Sequence, residues 1–134
     1  MAPILRHFDP DLPTILEADA SDFVLEAVVS QKGPDGKIHL IAFHSQKFNP
    51  TEMNYEIYDK EMLAIVESLE HYRHYFEGLG QQIMVYSDYH NLLWFMETKI
   101  YNRRQARWAE KLSKFDFVIV FRHGKDGGKL DALS

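Results

Sequence analysis

Apolar residues recur along this chain with two different periods, and each change of period marks where strands give way to helices. From Asn54 to Glu77 (NYEIYDKEMLAIVESLEHYRHYFE) the spacing is helical: Tyr58, Met62, Ile65, Leu69, Tyr72 and Phe76 form one stripe, which predicts a single long amphipathic helix. Elsewhere, short runs rich in β-branched and aromatic residues predict strands. Thr14 to Ala20 (TILEADA) and Phe23 to Gln31 (FVLEAVVSQ) are the first two, with only Ser21 and Asp22 between them, as in a hairpin. The turn formers Lys32 to Gly36 (KGPDG) lead into a third, Lys37 to Gln46 (KIHLIAFHSQ), so the first third reads as an antiparallel meander. Asn49-Pro50-Thr51 punctuates the chain before the long helix, and Gly78 and Gly80 stop it.

Ile83 to Ser87 (IMVYS) predicts a fourth strand that ends on Asp88. His90 to Thr98 and Asn102 to Phe115 predict two further helices, the second with Tyr101, Trp108, Ala109, Leu112 and Phe115 on its apolar side. Asp116 to Arg122 (DFVIVFR) is the last strand, followed by a glycine-rich turn from His123 to Gly128. The order βββαβααβ points to an α/β domain, a mixed sheet covered by helices. Met1 to Leu12, bounded by prolines, reads as an extended lead-in.

One residue does not suit a purely structural helix. Glu61 lies about 60° from the centre of the apolar stripe at 3.6 residues per turn, so its carboxylate is carried toward the packed side. Either it turns outward, with an i,i+4 contact in its own helix, or a metal, a cation or a polar cleft receives it. Asp19, near the end of the first strand, and Asp88, at the end of the fourth, lie where strands meet the surface, and each reads either as a turn residue or as part of a site.

The 134 residues suffice for one domain, and 46% hydrophobic with 13% aromatic content is globular. No apolar run is long enough to cross a bilayer and no leader precedes the first strand, so a soluble chain is expected. The absence of cysteine excludes disulfides, thiolate metal sites and cysteine nucleophiles. A net charge of −5 argues against a sequence-blind nucleic-acid binder. Yet between Lys99 and Lys114 six basic residues face one acid, Glu110. Arg103, Arg107, Lys111 and Lys114 share one helix face there, either simply solvated or able to follow a phosphate backbone.

Five long runs, LEADASDFVLEAVVSQ, IAFHSQKFNPTEMNYEIYDKEMLAIV, VYSDYHNL, NRRQARWAEKL and DALS, resemble in order the ribonuclease H domain of reverse transcriptases from gypsy-type LTR retrotransposons. The lead-in APILRHFDP is similar to the junction where the polymerase and connection portion of such a polyprotein ends. Residues 1–12 would then be a lead-in from the connection region and residues 13–134 the ribonuclease H domain. The resemblance implies a ribonuclease H-like fold, a five-stranded mixed sheet flanked by helices, with four catalytic, metal-binding carboxylates in one cleft: Asp19, Glu61, Asp88 and Asp131. Four such groups cannot all stay ionised together without cations, and hard oxygen donors suit two Mg²⁺, with Mn²⁺ able to substitute, over zinc. Asp19 would bridge the ions, Asp88 and Asp131 would flank them, and Glu61 would serve the ion nearer the leaving group.

The implied reaction is endonucleolytic cleavage of the RNA strand of an RNA–DNA hybrid during reverse transcription, giving a 5′-phosphate and a 3′-hydroxyl. Ser21, Tyr58, His90, Asn91, Arg103 and Arg107 are the expected substrate contacts, Tyr58 being equally readable as a core residue. The implied partners are the hybrid and the polymerase and connection portion of the same polyprotein, in a cytoplasmic virus-like particle, with no membrane. The chain departs from the family pattern at Ala18, where threonine is usual, at Glu26, where glycine is usual, at Tyr89, where histidine usually follows the third acid, and at His123 in the glycine-rich loop, where proline is usual. Glu26 keeps a second reading open, a hybrid-binding or scaffold domain of retroelement origin with weak or lost catalysis.

Overall fold

A computed structural model describes residues 6–87 and 102–121. Five strands, β1 (Thr14–Ala20), β2 (Val24–Lys32), β3 (Ile38–Lys47), β4 (Ile83–Ser87) and β5 (Phe117–Phe121), form one sheet in the order β3-β2-β1-β4-β5. The β1–β2 and β2–β3 pairs are antiparallel, while β1–β4 and β4–β5 are parallel, which makes the sheet mixed and puts β1 at its centre. In register, Leu16 opposes Val29 and Val85, and Ala18 opposes Ala27, so these side chains share one face. All five are at most 1% exposed, because helix α2 (Ile57–His71) lies over them and adds Met62, Ile65, Val66 and Leu69 to the same core. Burial of this face drives the fold.

The long helix expected from Asn54 to Glu77 is two helices, and a separate helical turn precedes them. Asn49 caps a separate turn, α1 (Pro50–Met53): its side chain accepts from the Glu52 N–H at 2.8 Å, and the Glu52 carboxylate accepts from the Asn49 N–H at 2.9 Å. With proline in the first turn, this reciprocal box starts a helix where only punctuation was expected. The break between the two falls at Tyr72 (φ −101°, ψ 24°), after which α3 (Arg73–Phe76) turns away. The break lets Phe76 enter the core while Tyr75 stacks on Phe8 of the lead-in, ring centroids 4.5 Å apart. Gly78, at φ +84°, then ends the segment in the left-handed conformation that glycine tolerates.

The lead-in is tied to the sheet by one buried side chain. Gln31 Nε2 donates to the Asp9 carbonyl at 2.7 Å and to Thr14 Oγ1 at 3.0 Å, and its Oε1 accepts from the Asp9 N–H at 3.0 Å. The helix expected over Asn102 to Phe115 is α4 (Arg103–Leu112), capped by Asn102, with Trp108 and Leu112 buried. Residues 90–98, expected as a helix, and Tyr101 lie outside the described residues.

Candidate functional site

Asp19 is the penultimate residue of β1, exposed where the strand leaves the core, and one of its carboxylate oxygens accepts from the Ala20 N–H at 3.0 Å. Just beyond it, Ser21 shapes the hairpin tip. Its Oγ accepts from the N–H groups of Phe23 (3.3 Å) and Val24 (3.2 Å), and the Val24 carbonyl lies 3.3 Å from the same hydroxyl. Directly across the antiparallel ladder from Asp19 stands Glu26, also exposed, so two carboxylates project from neighbouring strands on one face. The departure at Glu26 therefore falls beside the first candidate acid.

Glu61 comes to this end of the sheet on the second turn of α2. It is half-buried and its Oε1 is shielded from solvent. The preceding residue explains its approach. Lys60, 6% exposed, reaches past the Phe48 ring, 5.4 Å from its centroid, and donates to the Asp22 carbonyl at 2.9 Å. A buried ammonium needs such a partner, and the bond fastens the start of α2 to the hairpin three residues beyond Asp19.

Tyr58, one turn before Glu61, is 52% exposed. Of its two readings, core packing is thus excluded. Arg103 and Arg107 are exposed on α4, away from the buried Trp108 and Leu112, as the helical spacing predicts. Asp88, Asp131, His90, Asn91, Tyr89 and His123 lie outside the described residues. Among the described residues no group of three or more histidine, aspartate or glutamate side chains could hold a metal ion, and no helix is long and apolar enough to cross a membrane.

Sequence reasoning missed the residues that join α2 to α4. Asp59 forms an ion pair with Arg104, and Gln105 Nε2 lies 3.4 Å from the other Asp59 oxygen. The Arg104 guanidinium also lies over the Tyr55 ring, 4.1 Å from its centroid. These groups border an open cleft of about 540 Å³ between α1, α2 and α4. In the sequence Arg104 is only one of six clustered basic residues. Nothing local distinguishes it, because its partner is 45 positions away.

Residues 9–115 match the family model of the RNase H-like domain found in reverse transcriptase. The chain is similar to the Transposon Tf2-3 polyprotein of Schizosaccharomyces pombe, 42% identical over 134 residues that cover 98% of this chain, and it spans only 10% of that polyprotein's length. A foamy viral protease-reverse transcriptase in complex with RNA/DNA hybrid shares its fold with a TM-score of 0.69 at 21% identity, over 90% of this chain and 16% of that one. LC11-RNase H1 in complex with RNA/DNA hybrid does so with a TM-score of 0.61 at 15% identity, over 90% of this chain and 92% of that one. The five-stranded sheet order seen here is therefore the ribonuclease H-like fold. Since a family model covers most of its length and a retrotransposon polyprotein matches it from end to end, this chain belongs to the RNase H-like domain family of retrotransposon reverse transcriptases.

Proposed function

We propose that this domain is a metal-dependent endonuclease that hydrolyses the RNA strand of RNA–DNA hybrids during reverse transcription, leaving a 5′-phosphate and a 3′-hydroxyl. The observation that carries the reading is the bond from Lys60 to the Asp22 carbonyl, which fastens the helix turn bearing Glu61 beside the strand end bearing Asp19. Two acids 42 positions apart in the chain serve one end of the sheet.

The donor set fits hard divalent ions. Asp19 and Glu61 offer only oxygen, the chain has no cysteine, and a half-buried carboxylate is stabilised by a nearby cation. Asp19, Glu61, Asp88 and Asp131 would hold two Mg²⁺, or Mn²⁺ in their place. Such ions, when bound, activate the attacking water and stabilise the leaving 3′ oxygen. The chain's own part is recognition and orientation. Arg103 and Arg107 would meet backbone phosphates, while Tyr58, with Ser21, His90 and Asn91, would contact the sugar edge where 2′-hydroxyls distinguish RNA from DNA. Residues 1–12 would continue from the connection region of the same polyprotein, whose polymerase portion would help hold the hybrid, in a cytoplasmic virus-like particle.

The test is cleavage of an end-labelled RNA–DNA hybrid. Mg²⁺ or Mn²⁺ should support cutting of the RNA strand, EDTA should stop it, a DNA duplex should stay intact, and Asp19→Asn or Asp88→Asn should abolish it. Cutting that survives either substitution refutes the assignment. Glu26, opposite Asp19, favours a second reading, hybrid binding with weak or lost turnover. That reading expects hybrid binding without efficient cleavage, and a gain of cleavage in Glu26→Gly.

A further inference from the structure

Helix α2, like the short α3, starts without a side-chain cap. Both α1 and α4 open with reciprocal capping boxes, but Glu56, the residue before α2, makes no side-chain capping bond. An uncapped first turn frays unless tertiary contacts hold it. Here two such contacts act on consecutive residues. Asp59 is paired with Arg104 of α4, and Lys60 is bonded to the Asp22 carbonyl of the hairpin.

Successive side chains of a helix leave the axis about 100° apart. Once the directions of Asp59 and Lys60 are fixed by partners on two different elements, the rotation and height of the turn are fixed, and so is the direction of Glu61. The Arg104 end of this clamp is itself rigid. Its guanidinium lies 4.1 Å from the Tyr55 ring centroid and 5.6 Å from that of Trp108, and these two rings meet edge to face at 6.0 Å. The neighbouring Gln105 accepts from the Asn102 N–H at 3.2 Å to close the α4 capping box, while its Nε2 faces Asp59 at 3.4 Å. The start of α4 and the start of α2 thus share one polar junction.

We infer that Arg104 is a positioning residue: through Asp59 it sets the direction of the Glu61 carboxylate, which must be held closely for its role at the reacting phosphate. The inference rests on the hybrid-nuclease reading. It assigns to α4 a second role beside the phosphate contacts of Arg103 and Arg107, carried out from the adjoining, half-buried flank. A lysine at position 104 keeps the charge but loses the planar fork and its stacking.

The experiment compares the wild-type chain with Arg104→Met and Arg104→Lys by amide hydrogen exchange at residues 57–61 and by hybrid cleavage below the melting temperature of each. Arg104→Met should speed exchange in that turn about tenfold, a loss of local protection that leaves the rest of the sheet unchanged. It should lower kcat roughly ten- to a hundredfold, the scale of a misplaced catalytic group, with the KM for hybrid unchanged and the Mg²⁺ concentration for half-maximal rate raised. Arg104→Lys should recover part of both effects. Unchanged exchange, unchanged kcat, or a rise in KM alone overturns the inference, the last because it would make Arg104 a substrate contact. The wild-type control separates the two claims: a wild type that does not cleave refutes the nuclease reading, whereas an active wild type matched by Arg104→Met refutes only the positioning role. In an inactive chain the Mn²⁺ titration followed by calorimetry takes the place of kcat, with weaker binding in Arg104→Met expected and equal binding overturning the inference.

Discussion

Replacing Glu26 with glutamine removes one of two like charges that face each other across the β1–β2 ladder while keeping the side chain's size. Glu26 and Asp19 are register partners and both are exposed. Directly opposed residues on an antiparallel pair have Cβ atoms about 5 Å apart, so the carboxylates sit at roughly 6 Å. Two unit charges at about 6 Å repel by about 0.7 kcal/mol in a water-like dielectric. Screening reduces this to about 0.6 kcal/mol at 10 mM salt and about 0.1 kcal/mol at 1 M. For a domain of this size, Glu26→Gln should therefore raise the melting temperature by about 2 °C at 10 mM NaCl. Differential scanning calorimetry at 10 mM and 1 M NaCl resolves both the gain and its loss. Mg²⁺ adds a second arm: if Asp19 binds the ion, millimolar Mg²⁺ relieves the repulsion in the wild type and narrows the gap beyond what equal ionic strength of NaCl achieves. A gain that persists at 1 M NaCl, or a variant less stable than wild type at low salt, would show that the two carboxylates do not repel in the folded state.

Two further outcomes follow from buried and stacked groups. Gln31→Leu leaves the Asp9 N–H and carbonyl and the Thr14 hydroxyl without their buried partner. It should cost about 1–3 kcal/mol in urea unfolding and expose the lead-in to proteolysis before the sheet unfolds, and a variant with wild-type midpoint would contradict the tie. His71 stacks on His44 with ring centroids 3.7 Å apart, and shielding of its ring, with His44 and His74 close by, holds its pKa below the usual histidine value of 6.5. The unfolded chain then takes up this proton first as pH falls through 6.5, so the stability contributed by neutral His71 is present above that value and lost below it, down to the folded pKa. His71→Phe should lose less stability than wild type between pH 7 and pH 5, and parallel pH profiles would refute the coupling.

Local patterns in the sequence determined a great deal here. The bounds of β1 and β4 follow from runs of residues that suit a strand, and α4 from helical spacing, since period and propensity act within a few residues. Glu61 could be singled out because an acid near an apolar stripe is anomalous wherever the stripe packs. The resemblance of long motifs supplied what periodicity lacks, a proposal for which acids share one site, and Asp19, Glu61, Asp88 and Asp131 all rest on that footing. Tertiary structure alone decided the rest. The break at Tyr72 occurs because Phe76 and Tyr75 have separate places to pack, in the core and on Phe8. Tyr58 is apolar enough to continue the stripe, yet it is 52% exposed in the folded chain. The pairing of Asp59 with Arg104, of Lys60 with the hairpin, and of Asp19 with Glu26 joins residues whose meeting depends on how strands and helices stack. Side-chain chemistry at one position says what partner it needs, but burial of the shared core decides which partner it meets.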